Sequence, residues 1–372
     1  NITRRQRIER ATHGHPDWLR KVGNTARGVG HTVMERTKES GREETITAFL
    51  RAQDWGESHR MLLAGDASFR RYERLEKDGR RAVLMEAPPP VEDVRSFLTV
   101  ARRLRNMGYS APEIYATDEE SGLVLLEDLG DTTYTRLLKQ GNGVLERKLY
   151  GLAVDLLIDL HSRPEDTTCA GIPPYDGERF EMENALFTDW YLPTITGDKT
   201  RERARTEYLK IWRLLLNHAH KAPRALVLRD YHVDNLMFLE ERDGLAACGL
   251  LDFQDAVAGP SPYDLVSLLE DARRDISLEL ASDMKQRYLV GFPELDREIF
   301  EIAYAVLGAQ RHAKVIGIFT RLCLRDSKPE YLRHMPRLRR LLEGSLEHPV
   351  LAPMREWCDC HVPLALRGNP PC

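Results

Sequence analysis

At 372 residues, with 42% apolar and 30% charged side chains, the chain has the makeup of a soluble globular protein long enough for two lobes. Its formal charge of -4 hides an asymmetry: residues 1–42 carry ten Lys/Arg against four Asp/Glu, so the remainder is acidic, which argues against nucleic acid as the main partner. No apolar run reaches 18 residues and no apolar stretch opens the chain, so neither a membrane-spanning helix nor a secretory signal is predicted, and a cytoplasmic location is expected.

Residues 1–42 are basic and poor in periodic apolar positions, and are predicted to form a weakly ordered head. Because the chain begins at Asn1 and not at methionine, it reads as a fragment, a processed form or the later part of something longer. A first, smaller lobe is expected over residues 43–128. It starts with a short helix in ITAFLRAQ. Two strand-like runs, Phe69 to Leu75 and Arg81 to Glu86, then flank Lys77-Asp78-Gly79, and an Asp-Gly pair between such runs is a strong hairpin signal. Pro88 to Pro90 end the second strand. Val91, Val94, Phe97, Leu98, Ala101 and Leu104 share one helical face, which predicts a helix packed on the sheet and ending near Gly108. PEIYATD and GLVLLEDLG complete a small antiparallel sheet.

After Leu129 the apolar period becomes helical, so a second lobe, mainly of helices, is expected over 129–345, with a tail over 346–372. Leu149, Leu152, Ala153, Leu156, Leu157 and Leu160 make the strongest stripe. A polar, β-rich island at 226–257 interrupts the helices. The six cysteines are too sparse for a disulfide framework, and the tail motif WCDCH lacks the Cys-x-x-Cys spacing that wraps a zinc ion, so free thiols are expected.

The island carries the chemistry. LRDYHVDNLMF places Asn235 five residues after Asp230, and Asp252 follows in GLLDFQDAVAGP behind a short apolar run. This order matches phosphoryl-transfer sites of the kinase type, in which the first Asp takes or orients the acceptor's proton while the Asn and the second Asp hold Mg²⁺ against the nucleotide phosphates. Singly, each residue is an ordinary turn former. Upstream, LAGDASFRRY sits where such proteins cover the phosphates, and Gly65, Ala67 and Ser68 are small enough for backbone N–H groups to approach phosphate oxygens. VLLEDLGD links the lobes, and the backbone of Glu127, Asp128 and Leu129 is where adenine is expected.

With these residues in place, the chain resembles the aminoglycoside phosphotransferase and choline kinase superfamily, and more closely the bacterial anomeric kinases of N-acetylmuramate and N-acetylglucosamine. The resemblance spans about residues 43–345 and rests on GDASFRRY, MEAPPPVED, LRDYHVDNLM, LDFQDAVAGPSPYDLVSLLED and QRHAKVIGIFTRL. It implies a bilobal, protein-kinase-like α+β fold. It also implies ATP and Mg²⁺ as cofactors, an amino sugar as acceptor, and a role in cell-wall sugar recycling. By position, Asp230 is the implied base, and Asn235 and Asp252 are the implied metal ligands. Gly65, Asp66, Ala67, Ser68, Phe69 and Arg70 would surround the phosphates, and Asp264 would organise the catalytic loop from beneath.

The chain departs from the wider pattern twice. Met85 occupies the strand position of the usual phosphate-pairing lysine, leaving Arg70 and Arg71 as candidate cations, and Leu228 replaces a histidine before Arg-Asp. For the acceptor, Arg311, His312 and Lys314 form a basic group in a helical stretch that suits a lactyl carboxylate or a solvated stripe, and Asp189 and Trp190 in DWYLP are candidates for sugar contact. The alternative activities are phosphorylation of another alcohol, such as an aminoglycoside or choline, or silent nucleotide binding.

Overall fold

The structure, a computed structural model, describes residues 29–63 and 70–371. The chain divides into two compact units, residues 1–57 and 58–372. In the first, α1 (Val29–Ala52) is a single helix of 24 residues. The predicted head therefore turns helical well before residue 43: no proline interrupts 29–52, and the good helix formers Met34, Glu35, Arg36, Lys38, Ala48, Leu50, Arg51 and Ala52 offset Gly30 and Gly41. Residues 1–28 lie outside the described part.

The second unit opens with a five-stranded antiparallel sheet of β1 (His59–Leu62), β2 (Arg71–Lys77), β3 (Arg80–Glu86), β4 (Ile114–Asp118) and β5 (Leu123–Leu126), in the order β1-β2-β3-β5-β4. β2 and β3 pair from Arg71↔Glu86 to Lys77↔Arg80 across a two-residue turn, where Asp78 and Gly79 have φ of 51° and 75°. Both left-handed positions match the right-handed strand twist, which is why Asp-Gly predicted this hairpin. Helix α2 (Val94–Asn106) is capped by Asp93, whose side chain accepts from Arg95 N–H, and buries Val94, Phe97, Leu98, Val100, Ala101 and Leu104. Val91, predicted on that face, precedes the cap and is 60% exposed.

The second lobe contains α3 (Tyr134–Leu138), α4 (Gly143–Ser162), α5 (Glu165–Thr168), α6 (Gly177–Leu186), α7 (Leu192–Thr196) and α8 (Glu202–Ala219). Two short hairpin-like pairs follow: β6 (Arg224–Val227) with β9 (Val257–Pro260), and β7 (Leu236–Phe238) with β8 (Cys248–Leu250). Then come α9 (Pro262–Leu269), α10 (Leu278–Val290), α11 (Arg297–Asp326), α12 (Met335–Leu346) and α13 (Ala352–His361). Helix α11, 30 residues long, packs against α6, α8, α9 and α12 and is buried on most sides between Phe300 and Cys323. The predicted tail belongs to this lobe: Met354, Trp357, Cys358 and Val362 join its core, Trp357 lies against Tyr208 at 4.6 Å between ring centroids, and its indole N–H donates to Ala204 O at 3.1 Å. Cys358 and Cys360 are free thiols, whereas Cys323 is disulfide-bonded, against the free thiols expected, and Cys372 lies outside the described residues. No described helix is long and apolar enough to cross a membrane.

In the last turn of α4, His161 Nδ1 lies 2.8 Å from Tyr288 Oη of α10. Burial holds its imidazole down at about 4, against the raising effect of a backbone bond at Leu226. Below pH ~6.5 the unfolded chain therefore binds a proton that the folded one refuses, so stability falls as pH drops toward 4. Between pH ~6.5 and ~5 this amounts to about 1 to 2 kcal/mol. Thermal melts should show that much of the slope disappearing in His161→Gln; an unchanged slope assigns it to other groups.

Candidate active site

After β6 the chain turns at Arg229, whose φ of 70° is rare for a residue with a side chain. Asp264, in the first turn of α9, holds this turn: its two carboxylate oxygens accept from the N–H groups of Leu228 at 2.6 Å and Arg229 at 2.9 Å. Asp264 is fully buried, and burial pushes its carboxyl up to about 7 despite those donors. Leu228 thus contributes its backbone to the anchor while its side chain fills the core, so the missing histidine leaves this anchor intact. Ser267, also on α9, donates to Arg229 O at 3.3 Å, and Tyr231 Oη ties the loop to Ala153 O of α4 at 2.8 Å.

Strand register brings the two metal-ligand candidates together. Leu236 of β7 pairs with Leu250 of β8, so Asn235 and Leu251 lie side by side, joined by Leu251 N–H to Asn235 O at 2.9 Å, and Asp252 follows. Three acceptors face the Asn235 amide nitrogen: Asp230 O at 3.0 Å, His232 Nε2 at 3.4 Å and Asp252 Oδ2 at 3.4 Å. The nitrogen is thus tied to the loop backbone at Asp230 O, and Oδ1 is the amide atom that can serve as a ligand. Asp252 has φ 55°, and its Oδ1 accepts from Gln254 Nε2 at 2.7 Å. One amide oxygen and one carboxylate are hard donors that fit a Mg²⁺ ion sharing phosphate oxygens. His232 is buried and Asp234 pairs with Arg273 at 3.5 Å, so both brace the loop. The left-handed backbone at Arg229 and Asp252 is secured in each case by nearby side chains.

Asp230 differs from its acidic neighbours. It is half-buried, and among the described residues no hydrogen bond ends on its carboxylate. Burial would raise its pKa, but Lys314 and Arg311, followed by His232 and Arg229, outweigh that and hold it below the usual range. It is an ionised carboxylate with its lone pairs uncommitted.

A cleft of about 240 Å³ runs between the lobes. Leu63, Tyr72, Val83 and Leu126 line it from the sheet, Met237 and Leu251 from the second lobe, and Asn235 and Asp252 also face it. Of the linker residues, Glu127 is bound through its side chain to Arg242, Arg105 and the Glu113 N–H, and Asp128 to Arg74 and the Gly130 N–H. Their carboxylates are thus committed to the frame, while the Leu129 N–H has no partner among the described residues and can meet a planar base. Arg74, which sequence reasoning passed over, is 5% exposed and bridges Asp128 at 2.7 Å and Asp131 at 2.9 Å, fixing the linker to β2. Gly65, Asp66, Ala67, Ser68 and Phe69 lie outside the described residues. Arg70, just beyond them, pairs with Glu92 at 3.1 Å and lies 3.7 Å from Asp252 Oδ1, whereas Arg71 is exposed and Met85 is fully buried in the core. Of the two candidate cations, Arg70 is therefore the one beside the metal loop.

The acceptor candidates separate. Lys314 and Arg311 both lie on the Asp230 side of α11: Lys314 Nζ reaches Glu183 at 3.1 Å and Tyr263 Oη at 3.3 Å, and Arg311 donates to Ser267 Oγ at 2.7 Å, supporting the catalytic loop from below. His312 does not join them. One residue further round the helix, it is enclosed at 3.2 Å from Glu270 and 3.5 Å from Ser345 of α12. Asp189 stands on a π-helical turn (Phe187–Tyr191), is exposed, and is paired with Arg205 of α8 at 2.8 Å, so its carboxylate is spent on a surface ion pair. Glu183, which contacts the Asp230 loop through Arg229, carried no motif signal, and Gln254 lay within the LDFQDAVAGP motif without an assigned role.

Comparison with known proteins gives the family and the fold. A family model described as "Phosphotransferase enzyme family" matches residues 60–298. The N-acetylmuramate/N-acetylglucosamine kinase of Caulobacter vibrioides is 35% identical, with 89% of this chain and 99% of that protein covered. The enzyme of the same name from Pseudomonas aeruginosa is 39% identical over 82% of this chain and 90% of its own length. Among solved structures, a choline kinase from Streptococcus pneumoniae has the same fold, with a TM-score of 0.56 at 12% identity over 84% of this chain and all of that one.

Proposed function

Because this chain belongs to the phosphotransferase enzyme family and has its kinase-like fold, we propose that it transfers the γ-phosphoryl group of ATP to the anomeric hydroxyl of N-acetylmuramate or N-acetylglucosamine. The observation that carries the chemistry is the uncommitted, ionised carboxylate of Asp230 next to the Asn235–Asp252 pair. The identity of the relatives carries the choice of acceptor.

Asp230 orients the sugar hydroxyl and takes its proton as the hydroxyl oxygen bonds to the γ-phosphorus. The bond from that phosphorus to the bridging oxygen breaks, and ADP leaves with its electron pair. Asn235 Oδ1 and the Asp252 carboxylate would hold Mg²⁺, which supplies charge neutralisation at the β- and γ-phosphate oxygens. Arg70 provides a cation on that side in place of the strand lysine. The linker backbone seats adenine. Lys314 and Arg311 give the acceptor side a positive potential that favours a lactyl carboxylate and disfavours a cationic acceptor such as choline. The activity belongs to cell-wall sugar recycling and, with ATP as donor, to the cytoplasm.

The test is to incubate the protein with Mg-ATP and a panel of amino sugars, aminoglycosides and choline while following ADP release. An acid-labile sugar 1-phosphate is the expected product. Turnover with a non-sugar acceptor alone would overturn the acceptor assignment, and no turnover with any acceptor would favour silent nucleotide binding.

A further inference from the structure

Helices α6 and α11 approach one another unusually closely. A Cβ at Gly317 of α11 would fall 2.5 Å from the carbonyl carbon of Leu186, so only glycine fits without a shift. That approach sets Glu183 of α6 against two residues four apart on α11, Gln310 at 3.3 Å and Lys314 at 3.1 Å. Glu183 is 8% exposed and also accepts from Tyr175 Oη at 2.5 Å and from the Arg229 guanidinium. The same guanidinium donates to Asp255 O at 3.2 Å and lies over the Tyr175 ring at 5.7 Å. One carboxylate therefore grips the residue preceding Asp230, the backbone of the loop that carries Asp252, and the ammonium beside the acceptor position.

We propose that Glu183 is a positioning residue for phosphoryl transfer, fixing Arg229 and Lys314 together so that the catalytic loop, the metal loop and the acceptor-side cation share one geometry. The inference rests on the kinase reading above and assigns a role to a buried acid outside every motif of the site. Its physical basis is donor counting. Around Glu183 stand two cations, a phenol and an amide N–H, all of them donors. Glutamine has the same shape but no charge: Arg229 and Lys314 both meet Oε1 and would keep only a neutral acceptor there, while an NH₂ group in place of Oε2 would face Tyr175 and Gln310, so both cations lose the charge that holds them.

The test compares Glu183→Gln with wild type, using any acceptor that the wild type phosphorylates. Expected are a fall in kcat of about 10²-fold and a rise in acceptor KM of several-fold, while the Kd for Mg-ATP stays within about twofold. Such a split does not come from general damage, which would weaken nucleotide binding in parallel. Turnover within about threefold of wild type, or parallel loss of Mg-ATP affinity, overturns the proposal. Should Glu183→Gln not fold, Glu183→Asp, which keeps the charge but shortens its reach, is read by the same criteria. A wild type active on no acceptor overturns the kinase reading and this one together; an active wild type with an equally active variant overturns this one alone.

Discussion

Asp230→Asn should lower turnover by about 10³-fold while leaving the Kd for Mg-ATP within about twofold. The two side chains have nearly the same shape, and no hydrogen bond among the described residues ends on the Asp230 carboxylate, so the exchange breaks no structural bond. What it removes is the capacity to accept a proton, together with the negative charge facing Lys314, Arg311 and Arg229. The backbone carbonyl that orients Asn235 remains, so the metal side should be preserved. Turnover and nucleotide affinity measured on the same preparation decide the matter, and a variant as active as wild type removes Asp230 from the reaction.

The second large effect is expected at Asp252. Asp252→Asn should reduce kcat by about 10³-fold and raise the Mg²⁺ concentration needed for half-maximal activity by at least about tenfold. Asparagine is the informative choice because residue 252 sits at φ 55°, a conformation that asparagine tolerates and alanine does not, so backbone strain is kept out of the comparison. The change deletes the negative charge next to Arg70 and sets an amide against the Gln254 N–H, unless Gln254 turns over. Titrating activity with Mg²⁺ provides the readout. A normal Mg²⁺ dependence would place the metal elsewhere.

Much of this site could be read from the sequence because its parts are close in the chain. Asp230 and Asn235 share one loop, and Asp252 reaches them through the short pair β7–β8, whose Leu236↔Leu250 register leaves little choice about where Asp252 emerges. The β2–β3 turn was legible for a similar reason, since Asp78 and Gly79 state their own backbone conformation. The α2 face was legible from its period, though its start was not: Asp93 caps the helix, so Val91, expected on that face, precedes it.

Other features depend on contacts between distant segments. Arg311, His312 and Lys314 form one basic group in the sequence, but a helix turns by about 100° per residue, so neighbours part company. Only the packing of α11 between α6, α9 and α12 decides that Arg311 meets Ser267, that Lys314 meets Glu183, and that His312 meets Glu270. Asp189 looked available until α8 placed Arg205 beside it. The joining of α13 to the second core was equally hidden, because Trp357 finds Tyr208 and Ala204 some 150 residues away, a separation of 153 to the latter.

The amino-acid sequence by itself determined the kinase-like class, the order of the proposed catalytic and metal loops, and the residue types proposed for the chemistry, because each is set by local spacing and local backbone preference. The tertiary structure alone decided which charges are spent and which remain uncommitted. Whether a buried carboxylate serves as frame or reagent depends on the donors that distant helices bring to it: Asp264 receives two backbone N–H groups and Glu183 receives two cations, whereas the Asp230 carboxylate accepts from none of the described residues.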